Sequence, residues 1–227
     1  MHARTRQRQS GFTMLELAVV LGIVVILAGL AAVSLSRFRP RANLAGTSAQ
    51  INALLHGARQ NALATGRTTV VMFFPQFQNP SGGTGRVVVH EDPNFAFFNA
   101  AAPTANPQDW FRTYDPAQAP ASWLSDLFEP VDFPRYVVFG TGGVAPAVLG
   151  APLNLVPVGV CTFCGALPDG RGAVAFDPRG RALFYGDVGN PLAVFGGSVA
   201  LSSTEFNGHR LLVITTFNGS VKAVHNG

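Results

Sequence analysis

The chain has 227 residues, enough for one modest domain and an accessory segment. It is 48% hydrophobic and 12% charged, about half the usual charged share, and its 25 Gly and 16 Pro argue for turns and β structure over a helix bundle. The net charge of +4 does not describe a basic, nucleic-acid-binding domain: Arg4, Arg6 and Arg8 precede one apolar stretch, Arg37, Arg39 and Arg41 follow it, and the remaining ten basic residues nearly cancel the eleven acidic residues beyond Glu16.

Residues 17–35 read LAVVLGIVVILAGLAAVSL, apolar or glycine throughout except Ser34. Nineteen residues at ~1.5 Å each make a helix of about 28 Å, close to the hydrocarbon thickness of a bilayer. A secretory signal has a shorter apolar region followed by a small-residue cleavage site. Here the run continues and arginines follow it. Three arginines on each side leave the orientation open by charge. Glu16 stands at the start of the run. It reads either as an interfacial carboxylate favoured by the helix dipole or as an intramembrane acid awaiting a cationic partner.

The string Arg6-Gln7-Arg8-Gln9-Ser10-Gly11-Phe12-Thr13-Met14-Leu15-Glu16 resembles the type III signal of type IV prepilins and pseudopilins. That family has a short basic leader, Gly before the cut, Phe after it, Glu as the fifth mature residue, and an apolar helix. The resemblance implies that a prepilin peptidase cuts between Gly11 and Phe12 on the cytoplasmic side and methylates the new amine of Phe12. It implies a single-pass bacterial inner-membrane protein with its head in the periplasm. It also implies assembly with other pilins or pseudopilins. The cationic amine of Phe12 would meet Glu16 of a neighbouring subunit, and breaking such a pair in a low-dielectric bundle would leave a buried charge.

The organisation expected is therefore a removed leader at 1–11, a transmembrane and assembly helix at 12–36, an amphipathic helical continuation at 37–66 and a β-rich head at 67–227. Pro40 is expected to interrupt the helix or end it near Arg39. Helical periodicity resumes over 43–64, with Leu44, Ile51, Leu54, Leu55, Ala58, Ala62 and Leu63 on one face and His56 and Arg59 towards solvent. Strands are predicted at 68–74 and 86–91. The glycine-rich 82–85 between them lacks the phosphate-loop pattern and reads as a hairpin loop. A short helix is predicted at 122–128 and a strand at 136–139. Strands at 172–176 and 181–185 flank the turn Asp177-Pro178-Arg179-Gly180. Further strands are expected at 192–195 and 198–201, and 210–217 pairs with 220–224 about Asn218-Gly219.

The alanine-rich second helix, the F-x-P-x-G turn Phe176-Asp177-Pro178-Arg179-Gly180 and the last hairpin Phe217-Asn218-Gly219-Ser220-Val221 resemble the GspH/FimT group of minor pseudopilins and minor pilins. The fold class expected is α+β: a long N-terminal helix packed on an antiparallel β head. The role implied is a structural minor subunit of a type II secretion pseudopilus or a type IV pilus.

Cys161 and Cys164 suit one small-loop disulfide or half a metal site; no second C-x-x-C or H-x₃₋₅-H supplies further ligands, so a disulfide is the expectation. His2, His56, His90, His209 and His225 form no metal spacing, and His90-Glu91-Asp92 reads as a solvated strand end. No nucleophile motif is present, so neither enzyme activity nor a cofactor is expected. Arg171, Arg179 and Arg181 gather around one turn by sequence. They read either as solvated charges or as a DNA-binding strip of the kind some relatives of this group carry, with nucleic acid as the alternative partner.

Overall fold

The computed structural model describes residues 12–80, 82–93, 111, 114–119, 124–145, 148–165, 170–186, 191–192 and 195–226. The chain divides into two units, Met1–Arg39 and Pro40–Gly227. It is α+β, one long apolar-to-amphipathic helix and two antiparallel sheets.

Helix α1 runs Met14–Thr65, 52 residues, with Pro40 inside it. The expected break at Pro40 is not there. Proline removes one intrahelical donor and crowds the preceding turn, at a cost of about 3 kcal/mol. Pro40 is buried, so packing in the second unit holds the helix through it. Thr13 starts the helix: its hydroxyl accepts from the Glu16 amide, a Thr-x-x-Glu capping arrangement.

Beyond Pro40, α1 buries Leu44, Ile51, Leu55, Ala58 and Ala62, with Leu54 partly covered. Leu63, expected on that face, is 45% exposed. Arg59, expected in solvent, is half-buried, and its Nε donates to Gly180 O at 3.3 Å. Arg59 and Leu63, four residues apart, lie together at the edge of the buried face, against the Gly180 turn.

The first sheet contains β1 (Thr68–Gln78), β2 (Thr84–Asp92), β3 (Ser125–Asp132), β5 (Gly172–Phe176), β6 (Ala182–Tyr185) and β7 (Pro191–Leu192), in the order β3-β2-β1-β5-β6-β7. The second contains β4 (Val137–Phe139), β8 (Gly196–Ser203), β9 (His209–Thr215) and β10 (Val221–Asn226), in the order β10-β9-β8-β4. The predicted strand 192–195 is reduced to Pro191–Leu192; residues 193–194 lie outside the described residues, and Phe195 precedes β8.

The predicted helix at 122–128 is not found: residues 125–128 belong to strand β3, and 122–123 lie outside the described residues. β3 pairs with β2 through Val87↔Val131 and Val89↔Phe128, with register shifts between pairs. Leu127, Phe128 and Val131 pack on the central core, and the Phe128 ring sits against Gly57 of α1. Sheet pairing and burial override the weak local helical preference.

The period of two in β1, β8 and β9 reads onto different cores. Val71 and Phe73 of β1, Val199 and Leu201 of β8, and Leu212 and Ile214 of β9 face the central core with α1. Val70, Met72 and Phe74 face the opposite way, under Phe111, Leu124 and Tyr114. Ala200, Leu211 and Val213 on the far face of the second sheet lie under Val156, with Leu149, Leu153 and Val158 beside them. The connections between β2 and β3 and between β4 and β5 thus supply an outer layer to each sheet, which is why these strands are apolar on both faces.

Two glycines are required by geometry. Gly180 has φ 76° in the turn between β5 and β6, a left-handed conformation. A Cβ on Gly83 would lie 1.9 Å from Phe133 O, so the β1–β2 hairpin loop closes on the end of β3 only with glycine there.

Candidate assembly and processing site

The N-terminal segment places its chemistry in one short stretch. Gly11 lies outside the described residues. Phe12 and Glu16 are exposed, and Glu16 occupies the first turn of α1, where the helix dipole favours a carboxylate. From Met14 to Ala32 the helix has a mean hydropathy of 2.7 and none of it is buried within the chain. Nineteen residues of uncovered apolar surface fit membrane anchoring and helix–helix packing.

The scan of family models matches the prokaryotic N-terminal methylation motif to residues 6–32. The chain is type IV prepilin-like. The motif covers Arg6 and Arg8 of the leader, Gly11, Phe12, Glu16 and most of the exposed apolar helix. It implies processing by a prepilin peptidase and assembly with other pilins. No curated protein and no solved structure matches the chain.

In the head of this prepilin-like chain, Cys161 and Cys164 are joined by a disulfide, with Cα atoms 5.3 Å apart. It ties off the turn that carries Phe163, which is buried between Phe73 and Phe184 at ring distances of 5.4 and 5.3 Å. Thr162 N donates to Ser198 O at 3.0 Å and Ser198 N donates to the Thr162 hydroxyl at 2.8 Å. Among the described residues no group of three or more His, Cys, Asp or Glu is placed to hold a metal.

The three arginines do not form one exposed strip. Arg171 is buried, at 8% exposure, and its guanidinium donates to Phe111 O and Tyr114 O while lying over the Phe74 ring at 5.2 Å. Arg181 pairs with Asp177 at 2.7 Å. Arg179 is on the same turn, its amide donating to Asp177 Oδ1. The structure therefore brings Arg179 and Arg181 together and sets Arg171 to an internal task.

His90, Glu91 and Asp92 are buried, not a solvated strand end. His90 Nε2 lies 2.6 Å from the Tyr114 hydroxyl and Nδ1 lies 3.8 Å from Asp126. Burial lowers the His90 pKa against the pull of Asp126, and burial pushes Tyr114 up to about 12. Glu91 accepts from Arg67 at 2.8 Å and Asn61 at 3.1 Å, which together hold its carboxyl below the usual range. Arg86 forks onto Asp132 at 2.6 and 2.7 Å, which raises the guanidinium pKa further. Sequence reasoning missed this polar frame because its partners are far apart along the chain. The Thr13–Glu16 cap was missed too, although it has a local signal, Thr-x-x-Glu at the start of the apolar run.

Proposed function

We propose that the mature chain is a structural minor subunit of a type II secretion pseudopilus or a type IV pilus, cut after Gly11 and N-methylated at Phe12. The observation that carries this is the continuity of the methylation motif at residues 6–32 with an uncovered apolar helix that runs on into the head. The leader lies in the cytoplasm, the helix crosses the inner membrane and the head is periplasmic. During assembly the Phe12 amine pairs with Glu16 of a neighbour and sets axial register between helices. The domain boundaries follow: leader 1–11, membrane helix 12–36, amphipathic continuation 37–66, head 67–227. The Phe176–Gly180 turn and the hairpin about Gly219 support placement in the GspH/FimT group.

The test is the intact mass of membrane-extracted protein, with and without a co-expressed prepilin peptidase. Loss of residues 1–11 and gain of one methyl group is the expected result. An uncut chain, or a cut after the apolar stretch, overturns the reading.

A second reading, a DNA-binding minor pilin, draws on a different observation. Arg179 and Arg181 share a turn that abuts the Asn218-Gly219 turn, next to the exposed pair Phe195 and Phe217, whose rings are 6.3 Å apart. Arg181 is paired with Asp177, so the Arg179 side chain and the exposed rings are what a single strand would meet, through phosphate contact and base stacking. A gel shift across a salt series decides it, since no retention at low salt removes DNA as a partner.

A further inference from the structure

Two Asn-Gly pairs lie wholly within the described residues, Asn207-Gly208 between β8 and β9 and Asn218-Gly219 between β9 and β10, and both asparagines are exposed. In such a pair the glycine nitrogen can attack the amide carbon of the preceding side chain, because glycine has no Cβ to shield it. The two pairs differ in what surrounds that carbon. Asn207 has no side-chain hydrogen bond among the described residues, and Gly208 after it is buried.

At Asn218 the side-chain oxygen is held from two sides. Ser220 N donates to Oδ1 at 3.0 Å, and the Thr215 hydroxyl donates to it at 2.5 Å. The Ser220 hydroxyl lies 2.9 Å from that of Thr215 and, with the Thr215 proton committed to Asn218, is the donor of the two. An asparagine whose oxygen reaches the amide two residues on folds its side chain back over the peptide between, here that of Gly219. The nucleophile is uncommitted: Gly219 N–H makes no hydrogen bond among the described residues. Donors aimed at an oxygen that gains negative charge stabilise the transition state of attack on its carbon.

We propose that Asn218 is a site of spontaneous deamidation, activated by the Thr215 and Ser220 donors. Gly219 N bonds to Asn218 Cγ and gives up its proton; the Cγ–Nδ2 bond breaks, and ammonia leaves with that proton. Water then opens the cyclic imide. Opening at Cγ gives aspartate. Opening at the main-chain carbonyl gives isoaspartate, which routes the backbone through the side chain and lengthens the turn by one methylene. The turn has no room for it: a single carbon added to Gly219 would lie 2.4 Å from Gly180 O, the atom that also accepts from Arg59 Nε at 3.3 Å. Isoaspartate therefore parts the two turns and loosens the end of α1 from Gly180. Either product sets a carboxylate on the turn that abuts the one carrying Arg179.

The test ages the full chain in detergent at mildly alkaline pH. Peptide masses follow Asn218 and Asn207 separately, and enzymatic methylation of isoaspartate tells it from aspartate. Conversion at 218 should outrun conversion at 207. Thr215→Val keeps the shape and removes the hydroxyl donor; it should slow conversion at 218 about fivefold, the worth of one net hydrogen bond, and leave 207 unchanged. Ser220→Ala removes only the donor behind Thr215 and should slow it less. The isoaspartate form should exchange the amides of Gly180 and Arg181 faster than the parent. If 207 converts as fast as 218, or if Thr215→Val and Ser220→Ala leave the rate at 218 unchanged or raise it, the donors do not activate the site and the inference is overturned. Equal exchange in the two forms overturns the parting of the turns.

Discussion

The Thr13 hydroxyl accepts the Glu16 amide proton at 3.3 Å, so Glu16 is at once the third residue of a capped helix and the acid at the start of an uncovered apolar segment. The two roles separate by substitution. Glu16→Gln keeps a side chain suited to the capping position and removes the charge. The variant should insert and lose residues 1–11 as the parent does, yet drop out of the sheared filament fraction. Thr13→Ala should cost about 1 kcal/mol at the helix start and leave incorporation nearly unchanged. If Glu16→Gln enters filaments at the parental level, pairing with the Phe12 amine does not set the register.

Phe163 fills the space between Phe73 and Phe184, and the Cys161–Cys164 disulfide closes the turn that presents it. The glycines opposite leave that space: a Cβ on Gly197 would lie 2.7 Å from the Phe163 ring. The wedge should therefore outweigh the staple. Removing a crosslink around so short a loop costs about 2 kcal/mol. Phe163→Ala should cost about 3–5 kcal/mol through the cavity left between the sheets. For a head of this size each kcal/mol is worth roughly 2–4 °C. Thermal melts of Cys161→Ala/Cys164→Ala and of Phe163→Ala check the order; a larger shift for the cysteine pair would mean that the disulfide, not the ring, holds the turn.

Much of the head was legible because strands announce themselves by β-branched runs and their turns by Gly and Pro. The Asp177-Pro178-Arg179-Gly180 and Asn218-Gly219 turns fall where the sequence puts them. The outer layers were not legible. TTVVMFF at the start of β1 is apolar at every second position on both faces, which requires a cover on each side, but spacing does not say which segment provides it. The cover over Val70, Met72 and Phe74 is fastened by Arg171 to Phe111 O and by Arg86 to Pro116 O, 60 and 30 residues distant. Such contacts follow no local period. The helix through Pro40 was hidden for a related reason: local sterics disfavour it, and packing in the second unit overrides them. Of the assembly site, Gly11, Phe12 and Glu16 were readable because the signal is local and linear.

His90 is held neutral by burial, below its ordinary value of 6.5, beneath Tyr114 and opposite Asp126. The unfolded chain takes up a proton near that value while the folded head resists it, so stability rises with pH in this range. The contribution is complete above about pH 6.5 and is lost progressively as the pH falls below it. Glu91 acts lower: its depressed pKa makes its contribution complete above about 4.5 and lost as the pH falls further. Urea midpoints at about pH 7.5, 6.5 and 5.5 should decline in that order. A midpoint that rises towards pH 5.5 would mean that His90 charges readily and closes onto Asp126.

Arg171 is the cation whose placement differs most from its place in the sequence. Its planar fork reaches two carbonyls, Phe111 O and Tyr114 O, while its face lies over Phe74. A lysine is a point charge and cannot make that set of contacts. Arg171→Ala should cost about 1–3 kcal/mol by leaving buried carbonyls without a donor, and Arg171→Lys should recover little of it. The loss should be local first, with faster amide exchange at 114–119 while β9 keeps its protection. Full recovery by lysine would show that charge alone is needed there. Unchanged stability in Arg171→Ala, together with weaker retention of DNA in a gel shift, would place Arg171 at a nucleic-acid surface and not beneath the outer layer.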